Sequence, residues 1–146
     1  MSKNNQETIE QKIISGFFRG IWWLLTLPFK GLKKKEKFDT ADRKYLIARK
    51  REIEELLPTG DHFKLRHAVL EADKLLDWVL KKSNYRGATF ADRLRSAKKN
   101  IPPEVYNSIW QAHKIRNQLV HETEKEISQE SLHQAVKKYF RYLSRI

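Results

Sequence analysis

Apolar residues recur every three or four positions between Leu65 and Leu80, and this spacing constrains the fold more than any other feature of the sequence. It predicts a helix with one buried face, because about 3.6 residues complete a helical turn. After residue 39 the sequence contains neither strand-like alternation nor an Asn-Gly or Asp-Gly hairpin signal. The body of the chain is therefore expected to be entirely helical. The predicted buried stripe consists of Leu65, Val69, Ala72, Leu76, Val79 and Leu80.

Residues that start and stop helices divide this body into five segments. Short loops join the segments, which favours an all-α, up-down bundle of four to five helices. A chain of 146 residues has room for one such domain and an appendage, here residues 39–146 and residues 1–38. The predicted helices run from Asp39 or Thr40 to about Leu57, from Asp61 to about Ser83, from Thr89 to about Lys99, from Pro102 or Pro103, and from Ser128.

The N-terminal segment combines large apolar residues with a polar stripe. In "KIISGFFRGIWWLLTLPFKGLKKKEK" polar residues recur every three or four positions, which predicts an amphipathic helix over about residues 12–32 lying in a membrane interface. The lysines that follow favour anionic headgroups and place the next domain on the cytoplasmic side. The predicted membrane-binding residues are Phe17, Phe18, Ile21, Trp22, Trp23, Leu25, Phe29, Lys33, Lys34 and Lys35.

Two other placements of this segment remain open. It is nearly long enough to span a bilayer, but Arg19 in its middle would cost about 2.5 to 3.5 kcal/mol on insertion. Alternatively, it packs on its own domain or on a partner protein. In-plane membrane binding is the favoured interpretation.

The charge of the chain points to polyanionic partners. Lys and Arg number 30 against 18 Asp and Glu, a net charge of +12, which favours nucleic acid or anionic lipid. Because the chain has no cysteine, disulfides, thiolate metal sites and cysteine nucleophiles are excluded. Any chemistry must use histidine, arginine, acids or hydroxyls.

The stretch "AHKIRNQLVHETE" interrupts the most periodic part of the fourth helix with polar groups. Arg116 falls on the apolar face, between Ala112 and Leu119, and therefore needs an acidic partner, a gap at the bundle edge or a subunit interface. His113, Asn117 and His121 follow one another along the adjoining face at intervals of four residues.

These residue types suit phosphodiester chemistry better than the alternatives. No metal-binding histidine pattern and no nucleophilic serine context accompanies them, so neither a metal nor another cofactor is expected. Histidine can move protons while arginine holds a phosphate, and the 2′-hydroxyl of RNA supplies an internal nucleophile. Asp73 and Asp77, one turn apart, could form a catalytic pair, but Lys74 and Lys81 beside them favour a solvated face.

"RNQLVH" resembles the signature of the HEPN superfamily (higher eukaryotes and prokaryotes nucleotide-binding domain), in which a histidine follows an arginine after four to six residues. Arg116, Asn117 and His121 match its positions, and His113 is a further candidate. The resemblance covers about residues 40–146 and implies a compact helical bundle. It implies a metal-independent endoribonuclease that works as a homodimer, with the motifs of two copies facing each other. It also implies RNA as substrate and, in toxin systems, a neutralising partner protein.

Two alternatives to catalysis remain at this point. The superfamily includes inactive members, so the domain could be a non-catalytic RNA-binding or assembly module. It could also be a purely structural membrane-associated protein, in which Arg116 and His121 bond to acids such as Glu122 or Asp73 and hold the bundle together.

Overall fold

The computed structural model describes residues 38–121 and 126–146, and within these ranges it consists of helices and turns without strands. This confirms the prediction of an all-helical body with five helices. The predicted amphipathic helix over residues 12–32 lies outside the described residues. The helices are α1 (Thr40–Leu56), α2 (His62–Lys82), α3 (Phe90–Ala97), α4 (Pro103–His121) and α5 (Gln129–Leu143).

Local side-chain hydrogen bonds set the beginnings of the helices. Asp39 caps α1 and Thr89 caps α3, in each case through a reciprocal pair of hydrogen bonds with the aspartate three residues later. Asp61 caps α2, and Ser128 caps α5. These caps confirm the predicted helix starts. The starts could be predicted because each cap depends on residues that are neighbours in sequence.

Long-range contacts fix the direction of each helix. Lys82 at the end of α2 lies 2.8 Å from Asp42 at the start of α1, so these two helices are antiparallel. Arg66, near the start of α2, donates to the Leu119 carbonyl near the end of α4 at 3.3 Å, so this pair is antiparallel too. The start of α5 adjoins the start of α2, where Gln129 donates to the Gly60 carbonyl at 2.9 Å. The four long helices therefore alternate in direction, and the short α3 lies between α2 and α4 in chain order.

The predicted stripe of α2 forms the centre of the core, and all six of its residues are fully buried. On α4, Val105, Ile109 and Ala112 are also inaccessible to solvent, and Tyr139 of α5 is the largest of the fully buried side chains. Burial of one large apolar side chain stabilises the fold by about 1.5 to 3 kcal/mol, so this stripe contributes much of the fold's stability. No helix within the described ranges has the length and apolar character needed to cross a membrane.

Candidate functional site

The Asp73 carboxylate is the centre of a buried polar cluster that joins three helices. Asp73 lies in the middle of α2 and is only 5% exposed. Its Oδ1 atom is 2.7 Å from His113 Nδ1 on α4 and accepts a hydrogen bond from the Tyr139 hydroxyl of α5, also at 2.7 Å. Its Oδ2 atom is 3.4 Å from Arg116 Nε. We call these four residues the Asp73 cluster.

The helical periodicity explains why these side chains meet. Asp73 lies four residues after Val69 and three before Leu76, so it belongs to the buried face of α2. His113 and Arg116 are one turn apart on α4 and both face α2. An isolated buried carboxylate would be strongly destabilising, and two hydrogen bonds and one ion pair from two other helices offset that cost.

The contacts of Asp73 Oδ1 indicate the direction of two hydrogen bonds. A carboxylate oxygen accepts hydrogen bonds, which assigns a hydrogen to Nδ1 of His113. Burial, reinforced by the negative charge of Asp73, raises the pKa of Tyr139 far above its ordinary value. Tyr139 therefore remains a hydrogen-bond donor at neutral pH.

Beside the cluster lies a cleft of about 340 Å³, which we call the Arg116 cleft. His113, Arg116 and Asn117 form its α4 side, and Phe90 at the start of α3 stacks on the His113 ring, with 4.3 Å between ring centroids. The Arg116 side chain is 32% exposed, and its Nη1 donates to Asn117 Oδ1 at 3.1 Å. The guanidinium group is thus held by two neighbours yet accessible from solvent.

A buried arginine, Arg93, holds the wall of this cleft in place. Arg93 of α3 donates through Nε to Asp77 at 2.7 Å and through Nη1 to the Gly87 carbonyl at 2.6 Å. Burial raises the pKa of Asp77, but the hydrogen bonds and charges of Arg93 and Lys81 outweigh it and keep that pKa below its ordinary value. Asp77 is therefore an ionised structural anchor at neutral pH.

On the other side of His113 and Asn117 lies a second cleft, of about 320 Å³. Trp110, Lys114 and His121 also line it, and we call it the Trp110 cleft. His121 is exposed at the end of α4. The structure therefore brings His121 together with His113 and Asn117, whereas Arg116 lines the other cleft.

One sequence-based prediction about acidic residues is wrong. Asp73 does not belong to a solvated face, because it is buried in the cluster, and Lys74 pairs with Glu71 at 2.7 Å instead. Asp77 does pair with Lys81, at 2.8 Å. The position of Asp73 within the apolar stripe of α2 was the signal that could have identified it.

Arg116 has the acidic partner that its position on the apolar face of α4 required. Of the three possibilities, an acidic partner, a gap at the bundle edge or a subunit interface, the structure has the acidic partner, which is Asp73. In comparisons with protein-family models, curated proteins and solved structures, the chain matches none. A function must therefore be argued from the two clefts and the residues between them.

Proposed function

We propose that residues 39–146 form a metal-independent endoribonuclease domain of the HEPN type. The observation that carries the proposal is the pair His113 and Arg116, one turn apart on α4 and held by the same Asp73 carboxylate. Imidazole transfers protons near neutral pH, and guanidinium binds phosphate oxygens, so the pair offers what RNA cleavage without a metal needs. The net charge of +12 supports a polyanionic substrate.

The reaction suited to these groups is attack by the 2′-hydroxyl of RNA on the adjacent phosphorus. A histidine takes the hydroxyl proton as the new oxygen–phosphorus bond forms, and the bond from phosphorus to the 5′-oxygen breaks. A second histidine gives that oxygen a proton, so the products are a 2′,3′-cyclic phosphate and a 5′-hydroxyl end. Arg116 binds the phosphate oxygens on which charge grows, and Asn117 helps hold the guanidinium at the cleft. His121 and His113 are the proton-transfer candidates.

The complete site in this proposal is shared by two copies of the chain. Arg116 and His121 are five residues apart, about 140° around an ideal helix, and they line different clefts. A twofold axis close to α4 would bring Arg116 of one copy and His121 of the other to the same phosphate. The reason for a dimer is therefore the position of His121, because Arg116 already has an acid within its own chain.

One observation favours a different function, a non-catalytic RNA-binding or assembly module. Asp73 has two hydrogen bonds and one ion pair, and among the described residues no buried side-chain polar atom lacks a hydrogen-bond partner. A cluster so fully satisfied would also serve as a structural link between helices. Under this alternative the full chain binds RNA in a salt-sensitive way and cuts none.

Incubation of the full chain with labelled RNA in EDTA separates the two functions. We expect cleavage with 2′,3′-cyclic phosphate ends, because the proposed groups need no metal. His121→Ala should abolish it without changing the unfolding curve. The matched control is His67→Ala. His67 is an exposed histidine on the side of α2 toward α1, close enough to Glu71 to contribute to the lowering of the Glu71 pKa. Cleavage that persists in His121→Ala would remove His121 from the mechanism.

We further propose that residues 1–38 tether the domain to the cytoplasmic face of an anionic membrane. The support is the sequence pattern alone, large apolar residues followed by Lys33, Lys34 and Lys35. The full chain should sediment with anionic vesicles, and replacing these three lysines with glutamine should weaken that binding at low salt. A full chain that remains in solution with such vesicles would contradict the tether.

A further inference from the structure

A row of aromatic and basic side chains leads along the surface to the Trp110 cleft. The Arg95 guanidinium lies over the Trp110 ring, 5.5 Å from its centroid, and Lys98 Nζ lies 6.0 Å from the Tyr106 centroid. Lys114, one turn beyond Trp110 on α4, is exposed and lines the cleft. We call these five residues the Trp110 strip.

The strip is continuous with the candidate catalytic residues. Trp110 packs edge-on against His113, with ring centroids 6.0 Å apart, and shares its cleft with His121. At about 320 Å³ the cleft falls within the range of small-ligand pockets and is open along one side of α4. A group bound against Trp110 would lie next to the histidines that we assign to proton transfer.

We propose that the Trp110 strip binds an unpaired stretch of RNA, with one base stacked on Trp110 and the neighbouring phosphates on Arg95, Lys98 and Lys114. Aromatic rings interleaved with cations are how proteins hold single strands without reading their sequence. Paired bases stay stacked inside a duplex and cannot reach a ring recessed in a cleft. The inference rests on the proposed function for its substrate class, and it restricts that substrate to single-stranded RNA.

The geometry favours RNA over a membrane surface as the occupant. Trp110 and Tyr106 are half-buried, and a lysine or arginine covers each ring, whereas aromatic side chains that insert into lipid must protrude. Within the described part of the chain, the ion pair of Arg95 is an exposed one with Asp92 at 2.9 Å, so the guanidinium can leave the ring and contact a phosphate when a base stacks there.

The test is the affinity of the full chain for a labelled 12-nucleotide 2′-O-methyl oligouridylate, which lacks the attacking hydroxyl and so survives the measurement. We expect a 12-base-pair RNA duplex to bind more weakly, and Trp110→Leu to weaken single-strand binding about tenfold. The matched control is Trp78→Leu. Trp78 is also half-buried under a lysine, with Lys82 Nζ 5.8 Å from its ring, but it packs beside Phe38 and Tyr45.

Charge variants test the strip without disturbing the core, in case Trp110→Leu unfolds. Lys98→Gln and Lys114→Gln should each lower the dependence of log affinity on log salt by about 0.7, the value for one lost phosphate contact on a single strand. Lys81→Gln, on α2, should leave that dependence unchanged. Equal binding of duplex and single strand, or wild-type salt dependence in both strip variants, would overturn the inference.

Further outcomes separate this inference from the proposed function. RNA binding that depends on Trp110 without any cleavage would leave the inference standing and remove the catalytic proposal. Cleavage by Trp110→Leu with an unchanged KM would remove the inference and leave the catalytic proposal standing. Loss of anionic-vesicle binding in Trp110→Leu, with oligouridylate binding intact, would assign the strip to a membrane and overturn the inference.

Discussion

Asp73 Oδ1 and His113 Nδ1 lie 2.7 Å apart in the core of the bundle, although 40 positions separate the two residues in sequence. The same oxygen accepts the Tyr139 hydroxyl, which comes from a third helix. Removing the Asp73 acceptor or the Tyr139 donor should therefore lower the free energy of unfolding, and by different amounts.

Asp73→Asn should lower the free energy of unfolding by about 2 to 4 kcal/mol, since it leaves Arg116 without its buried counter-charge. Tyr139→Phe removes one neutral donor and should cost about 1 kcal/mol. Urea unfolding of the full chain measures both. Tyr45→Phe, which alters a side chain exposed on α1, is the control and should stay within about 0.5 kcal/mol of the wild type. Equal effects of Asp73→Asn and Tyr45→Phe would contradict the role given to the cluster.

Alkaline pH should reveal the buried state of Tyr139. Its folded-state pKa lies above the ordinary value, so the folded protein keeps a proton that the unfolded chain releases near pH 10. The resulting stability is fully present below about pH 10 and is lost as pH rises further, by up to about 1.4 kcal/mol per pH unit from this group. Tyr142, whose pKa burial raises to about 12, adds loss of the same sign.

Tyr139→Phe has no hydroxyl at this position, so it should not lose stability through Tyr139 at high pH. It is therefore the variant to compare with the wild type. The variant should be less stable than the wild type at pH 8, and the difference should shrink toward zero or reverse by pH 11. Unfolding free energies at the two pH values give the result. A difference that stays constant across this range would show that the Tyr139 hydroxyl is not held as the structure has it.

Two glycines with positive φ form a matched pair, Gly87 before α3 and Gly60 before α2. Gly87 has φ +152°, and a Cβ atom there would lie 2.5 Å from Asp92 Cβ, so Gly87→Ala should cost about 2 kcal/mol or more. Gly60 also has positive φ, +62°, but nothing lies within 4 Å of its added Cβ, so Gly60→Ala should cost only about 1 kcal/mol. Thermal unfolding of both variants tests this order. Since the Gly87 carbonyl binds Arg93, only Gly87→Ala should also impair cleavage.

If the site is shared between two copies, mixing two inactive variants should restore cleavage. Arg116→Ala and His121→Ala should each be inactive alone. If the proteins exchange subunits freely in an equal mixture, half of the dimers are mixed and each mixed dimer holds one intact site of two. The mixture should then reach about a quarter of the wild-type rate. A mixture as inactive as its components, although the chains are shown to exchange, would place the whole site within one copy.

The sequence made the helices predictable, but of the cluster it suggested only that Arg116 could pair with an acid such as Asp73, and both results have one physical reason. Asp39, Asp61, Thr89 and Ser128 cap helices through bonds to residues at most three positions away, so the pattern is visible in a short window. The partners of Asp73 lie 40, 43 and 66 positions away, whereas Lys74 beside it suggested an exposed pair. The burial of Asp73 depends on how α4 and α5 pack on α2, which no local window contains.

The two clefts share two lining side chains. They are His113 and Asn117, and each faces both spaces. A substitution at either residue therefore changes the shape of both clefts at once, and no phenotype at these positions can be assigned to one space alone. Arg116 and Trp110 each line only one of the two clefts. Substitutions at these two positions can therefore separate RNA binding from RNA cleavage.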